Sequence, residues 1–226
     1  MTKHYIIPMG LLLELDELLS IEKFNQLAKK KFFSAYCFYL NHKEQFAPLR
    51  NQFNQGETDE ESFIIAIRKM LGQSEEIASD KRIREAWNAM IKIPDKFQAD
   101  WNQLNRQGNI HLLSDSNSIH KKYLEENGLS EITKNCAYSF EKKRRETELY
   151  KKLYKEIMSD IDDGDEVFVV MGTPNGYEKT RLMEENQTIK EACKEQNSNV
   201  QFIEVETTGI ENVCAKLEGL QIRPRI

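Results

Sequence analysis

A chain of 226 residues with 31% charged and 39% hydrophobic side chains fits one α/β domain, or one such domain with a modest insert, and excludes a disordered polypeptide. Gly 10 and Pro 5 fall well below the combined share of roughly 12% in average proteins, which excludes collagen-like and linker-rich chains and points to long, uninterrupted elements. Lys+Arg 32 against Asp+Glu 37 leaves a net charge of −5. Neither nucleic acid nor membrane is therefore an expected partner, a local basic patch being the exception that net charge leaves open.

The run Ile6-Ile7-Pro8-Met9-Gly10-Leu11-Leu12-Leu13 has the look of a signal peptide. Glu14 and Asp16 follow at once and no small-residue cleavage site appears, so a buried strand over Leu11–Leu15 is the expectation. No run approaches the ~20 apolar residues of a membrane span. Cys37, Cys136, Cys193 and Cys214 form no C-x-x-C pair. They read as buried free thiols of a reducing compartment, the cytoplasm.

Four more apolar runs read as buried parallel strands: Ile110–Ser114, Cys136–Phe140, Val167–Met171 and Val200–Val205, the last three rich in β-branched or aromatic residues. Helical patterns separate them. Leu149, Leu153, Ile157 and Ile161 mark one helix closing at Gly164, and Ile210, Val213, Cys214 and Leu217 mark the last, closing at Gly219. Strand alternating with helix predicts an α/β fold with a Rossmann-like parallel sheet and helices on both faces.

The first two strands lie too far apart for one crossover, and the interval reads as helical. Thr58-Asp59-Glu60-Glu61 is a capping box leading into Phe63, Ile64, Ile67, Met70 and Leu71, stopped by Gly72. Ile83, Trp87, Met90 and Ile91 make a second stripe, and Pro94 opens a helix through Phe97, Trp101 and Leu104 that ends at Gly108. Phe32, Phe33, Tyr36, Phe38 and Tyr39 form an aromatic cluster expected to be core. An all-helical insert after strand one follows, with core residues 1–20 and 96–226 and an insert over 21–95.

In an open parallel sheet chemistry collects beyond the carboxyl ends of the strands. Glu14, Asp16 and Glu17 follow the expected first strand; Ser114, Asp115, Ser116 and Asn117 follow the second; Lys142-Lys143-Arg144-Arg145 follows the third. Gly172-Thr173-Pro174-Asn175-Gly176-Tyr177-Glu178-Lys179-Thr180 follows the fourth, but it lacks the spacing of a P-loop and reads as a turn and helix start. His111 and His120 lack companions at zinc-ligand spacing and read as structural.

Leu11-Leu12-Leu13-Glu14-Leu15-Asp16-Glu17-Leu18-Leu19 resembles the first motif of the haloacid dehalogenase-like (HAD) superfamily, a strand ending in Asp-x-Asp-Gly-Val-Leu. His111-Leu112-Leu113-Ser114-Asp115-Ser116-Asn117-Ser118-Ile119-His120 resembles the second motif of its phosphatase-like members, and Ala86-Trp87-Asn88-Ala89-Met90 with Ile93-Pro94 resembles the end of their helical cap. The resemblance implies phosphoryl transfer through an aspartyl-phosphate, with a second carboxylate as acid/base and Mg²⁺ held by the nucleophile and by acids after strand four. On that alignment Glu14 takes the nucleophile position and is the one residue offered to a metal. Asp16 takes the acid/base position, and Ser114, Asp115 and Arg144 the phosphate-binding positions.

The pattern is degenerate. Glu replaces the nucleophilic Asp, and no acid stands at Val170, Met171 or Gly172. The resemblance therefore implies a pseudoenzyme with impaired or absent Mg²⁺-dependent phosphatase activity and no cofactor. Such a chain would act as a binding or regulatory protein, taking a small anion or phosphate and a protein partner through the cap. The alternative is a slow or unconventional phosphohydrolase of a small phosphorylated substrate, with Mg²⁺ required only in that case.

Overall fold

A computed structural model describes residues 2–144, 146–162, 164–173, 179–196, 200–206 and 208–221. Its centre is a five-stranded parallel sheet of β1 (Lys3–Pro8), β4 (Asn109–Ser114), β5 (Cys136–Tyr138), β6 (Glu166–Gly172) and β7 (Gln201–Val205), in the order β5-β4-β1-β6-β7. Alternate residues of β1 serve opposite faces, as the period of two requires. Tyr5 and Ile7 pack with Phe168, Val170 and Ile203 on one face, beneath α5 (Phe97–Leu104) and α11 (Ile210–Gln221). Ile6 joins Val167, Val169 and Leu113 on the other, beneath α9 (Glu146–Ser159) and α10 (Lys179–Gln196).

The central strand is Lys3–Pro8, eight residues earlier than the Leu11–Leu15 expected from sequence. Tyr5, Ile6 and Ile7 suit a strand buried on both faces better than a run of leucines does. Pro8 ends the strand, where its missing N–H costs least. Leu12 and Leu13 are buried all the same, within the turn that follows. Glu14 and Leu15 form β2, which pairs antiparallel with β3 (Ile91–Lys92) in a separate ribbon. Ile91 thereby leaves the helix that its spacing suggested.

Between β1 and β4 lie α1 (Glu17–Leu27), α2 (Ala35–Asn54), α3 (Glu60–Leu71) and α4 (Asp80–Asn88), closed around a core of their own that includes Phe24, Phe38, Phe53, Phe63, Ile67 and Trp87. Local chemistry sets their ends. Ser34, Asp59 and Ser79 cap α2, α3 and α4 by accepting from the N–H groups of Cys37, Ser62 and Arg82, and Gly72 stops α3 in the left-handed region. Pro48 sits inside α2, so the carbonyl of Glu44 lacks its usual donor four residues on. The aromatic cluster divides: Phe38 is buried, whereas Phe33 and Tyr36 are exposed. Capping at Ser34 starts the helix too late to carry Phe33 on its inner face, while Phe32 packs inward from the turn before it. Among the described residues no helix is long and apolar enough to cross a membrane, and all four cysteines are free thiols.

Candidate functional site

Because the sheet is parallel, all its carboxyl ends meet at one edge, and the helical bundle stands over that edge. Between them lies a cavity of about 310 Å³. Its floor is Pro8, Met9 and Gly10 from the end of β1 and Ser114, Asp115 and Ser116 from the end of β4; Tyr39, Phe46, Arg50, Asn51, Asn54 and Trp87 form the bundle side.

One buried asparagine organises the junction. Asn117 caps α6 (Ser118–Leu124), its Oδ1 accepting the His120 N–H at 3.1 Å and the Trp87 Nε1–H at 3.2 Å. Its Nδ2 donates to Asn54 Oδ1 at 2.9 Å. Ser139, also buried, accepts the Ser116 N–H at 3.1 Å and donates to the Asn54 carbonyl at 2.6 Å. His120 stacks on Trp87 with centroids 5.3 Å apart, and its Nε2 lies 3.3 Å from the Trp87 carbonyl. A carbonyl only accepts, so the proton sits on Nε2 and Nδ1 faces the Ser116 hydroxyl at 3.3 Å as acceptor. Burial pushes the His120 imidazole down to about 4, partly offset by the Trp87 carbonyl; the ring is neutral at pH 7. Two bundle helices are thus tied to two core loops through buried polar groups. Ser139→Ala removes the link between three of them, and a loss of about 2 kcal/mol in denaturant unfolding is expected, since the Ser116 N–H is left unpaired.

The residues expected from sequence do not all meet here. Ser114 and Asp115 line the cavity. Glu14 lies in the β2–β3 ribbon with its Oε2 2.6 Å from Lys92 Nζ, which holds the Lys92 ammonium above its usual range. Asp16 caps α1, its Oδ1 accepting the Leu18 N–H at 3.0 Å. Neither lines the cavity. Arg144 is exposed beyond α8 (Ser139–Lys142), donates its backbone N–H to the Ser139 carbonyl at 3.1 Å, and does not reach the cavity wall. Arg145 and the residues 174–178 of the P-loop-like segment lie outside the described residues.

Among the described residues the Lys or Arg that lines the cavity is Arg50, on α2, with Nη1 3.6 Å from Glu17 Oε1. Both groups are partly solvated, so the pair is weak and a ligand anion competes with it readily. No local sequence signal marks Arg50; only the packing of α2 over the sheet edge brings it here. With β1 located at Lys3–Pro8, the residues that stand where an Asp-x-Asp would end the strand are Pro8 and Gly10. Neither offers a side-chain oxygen. Met171 and Gly172 end β6 with none either. Among the described residues no group of three His, Cys, Asp or Glu side chains converges. The donor set does not fit Mg²⁺, which needs several oxygens in octahedral array.

No family model matches the sequence, and no curated protein does. Solved structures do. A HAD family enzyme from Bacteroides thetaiotaomicron is similar over 91% of this chain and 93% of its own, with a TM-score of 0.65 and 21% identity. L-2-haloacid dehalogenase from Xanthobacter autotrophicus is similar over 99% of this chain and 85% of its own, with a TM-score of 0.53 and 14% identity, both alone and with chloropropionic acid covalently bound. The chain has the HAD-like fold.

Proposed function

We propose that this HAD-like chain is a pseudoenzyme: a binding or regulatory protein whose cavity, between sheet edge and helical cap, takes a small anion such as phosphate without hydrolysing a phosphoester. The observation that carries this reading is the end of β1, where Pro8 and Gly10 stand in place of the carboxylates that would attack phosphorus and protonate a leaving group. Ser114 and Ser116 offer hydroxyl and amide donors from the core, and Arg50 a guanidinium from the cap. Asp115 and Glu17 line the same cavity, and their repulsion keeps an anion's affinity low.

Two measurements test the reading. Hydrolysis of an aryl phosphate with Mg²⁺ present should stay at background; purified protein turning over at about 1 per second or faster sinks the proposal. Calorimetric titration with inorganic phosphate should show weak binding that Arg50→Ala abolishes. Unchanged affinity in that variant removes Arg50 from the site.

A further inference from the structure

The net charge leaves room for a local basic patch, and the turn between α1 and α2 is one. From Lys23 to Lys43 the chain carries Lys23, Lys29, Lys30, Lys31 and Lys43 and no acidic residue, within a protein of net charge −5. Among the described residues no ion pair closes on Lys29, Lys30, Lys31 or Lys43. The turn is built rather than loose. Asn25 clamps Phe32 with both ends of its amide, Nδ2 donating to the Phe32 carbonyl at 2.9 Å and Oδ1 accepting the Phe32 N–H at 2.8 Å. The Lys29 N–H donates to the Leu71 carbonyl at 3.0 Å and fixes the start of the turn. Phe32 points inward, edge-on to Phe38 and His42. Its neighbour Phe33 is thereby driven outward and is 102% exposed, with Tyr36 at 61% and Leu40 at 45%. Tyr36, Leu40 and Lys43 follow one another at helical spacing along the outer face of α2, and Phe33 stands just before the Ser34 cap.

We propose that this corner docks the protein on an anionic lipid surface. Phe33 enters the boundary of the acyl chains, the amphipathic ring of Tyr36 sits at headgroup level, and the lysines face lipid phosphates. Phe33 is fully exposed and projects as a knob rather than sinking into a groove. A knob needs either a matching pocket on a partner or a medium that yields, and a bilayer yields anywhere on its surface. Lys29, Lys30 and Lys31 precede the knob as a block rather than alternating with aromatic rings, which suits a charged plane better than a strand of stacked bases.

The test uses the full chain and vesicles of phosphatidylcholine with or without phosphatidylserine. Sedimentation should carry the protein down with the anionic vesicles only, and high salt should release it. Phe33→Trp should show a blue-shifted emission on those vesicles, reporting entry of the side chain. Phe33→Ser should weaken binding about tenfold, and Lys30→Glu with Lys31→Glu should abolish it. All these positions are exposed, so unchanged circular dichroism is expected and shows that the fold is intact. Equal retention on neutral and anionic vesicles overturns the proposal, as does wild-type binding by Phe33→Ser. Tighter binding to a single-stranded oligonucleotide or an acidic peptide than to anionic vesicles overturns it in favour of that partner.

Discussion

Gly56→Ala is expected to cost roughly 2–5 kcal/mol in denaturant unfolding, whereas Gly128→Ala should cost about 1 kcal/mol. Both glycines have positive φ, +68 and +90, so alanine pays the left-handed penalty at each. They differ in what a Cβ would meet. At Gly128 there is nothing within 4 Å; at Gly56 the new atom would overlap the Phe140 carbonyl, approaching its carbon to 2.9 Å. That carbonyl belongs to α8, beyond β5, and Gly56 follows the end of α2. The difference between the two variants therefore measures how closely the helical bundle is pressed on the core. Equal losses would mean that the approach carries no energy and that the two parts adjust freely.

Acid should loosen the same junction through His120. The unfolded chain protonates His120 near its usual 6.5, whereas the buried ring resists until about 4. Between those values the unfolded state binds more protons, so stability falls as pH falls. The full contribution is present above 6.5, is on the order of 3 kcal/mol, and is gone by about pH 4. His111 acts in the same direction: burial, and then the adjacent His4, hold its imidazole below the usual value. The two imidazoles lie side by side, His4 Nδ1 and His111 Nε2 3.2 Å apart. Asp165 is held low by the Thr2 N–H, so its loss comes only below the ordinary carboxylate range. Urea midpoints measured from pH 7 to pH 4 should fall steadily, and His120→Phe should flatten the slope whatever it does to stability at pH 7. A variant with the parent's slope would show that His120 is not the group responsible.

Much of the architecture was legible because it is local. β4, β6 and β7 announce themselves as short apolar runs, the last two with several β-branched or aromatic residues, and α3 by an acidic cap at one end and Gly72 at the other. The central strand was not. Its identity depends on pairing with β4 on one side and β6 on the other, partners about a hundred or more residues away in sequence, while the leucine run eight residues later is the stronger local signal. Displacing the strand displaced the motif: Glu14-Leu15-Asp16 imitates an Asp-x-Asp, yet its first residue lies in a surface ribbon and its last is a helix cap. Ser114 and Asp115 stand at the sheet edge, where their strand was expected to end. Arg50 was invisible, one cation among many until α2 lays it over the sheet edge.

Pro48 divides α2 between two tasks. The stretch after it bears Arg50 and Asn54 and is moored to the core through Asn117 and Ser139; the stretch before it bears the exposed Tyr36 and Leu40 and, on its inner side, Tyr39 and Phe46 of the cavity wall. A helix of 20 residues spans roughly 30 Å, and the donor missing at Glu44 leaves its ladder one hydrogen bond short beside Pro48. Tyr39 and Phe46 of the cavity wall lie on the same side of Pro48 as the exposed Tyr36 and Leu40, so one half of the helix joins the outer face to the cavity.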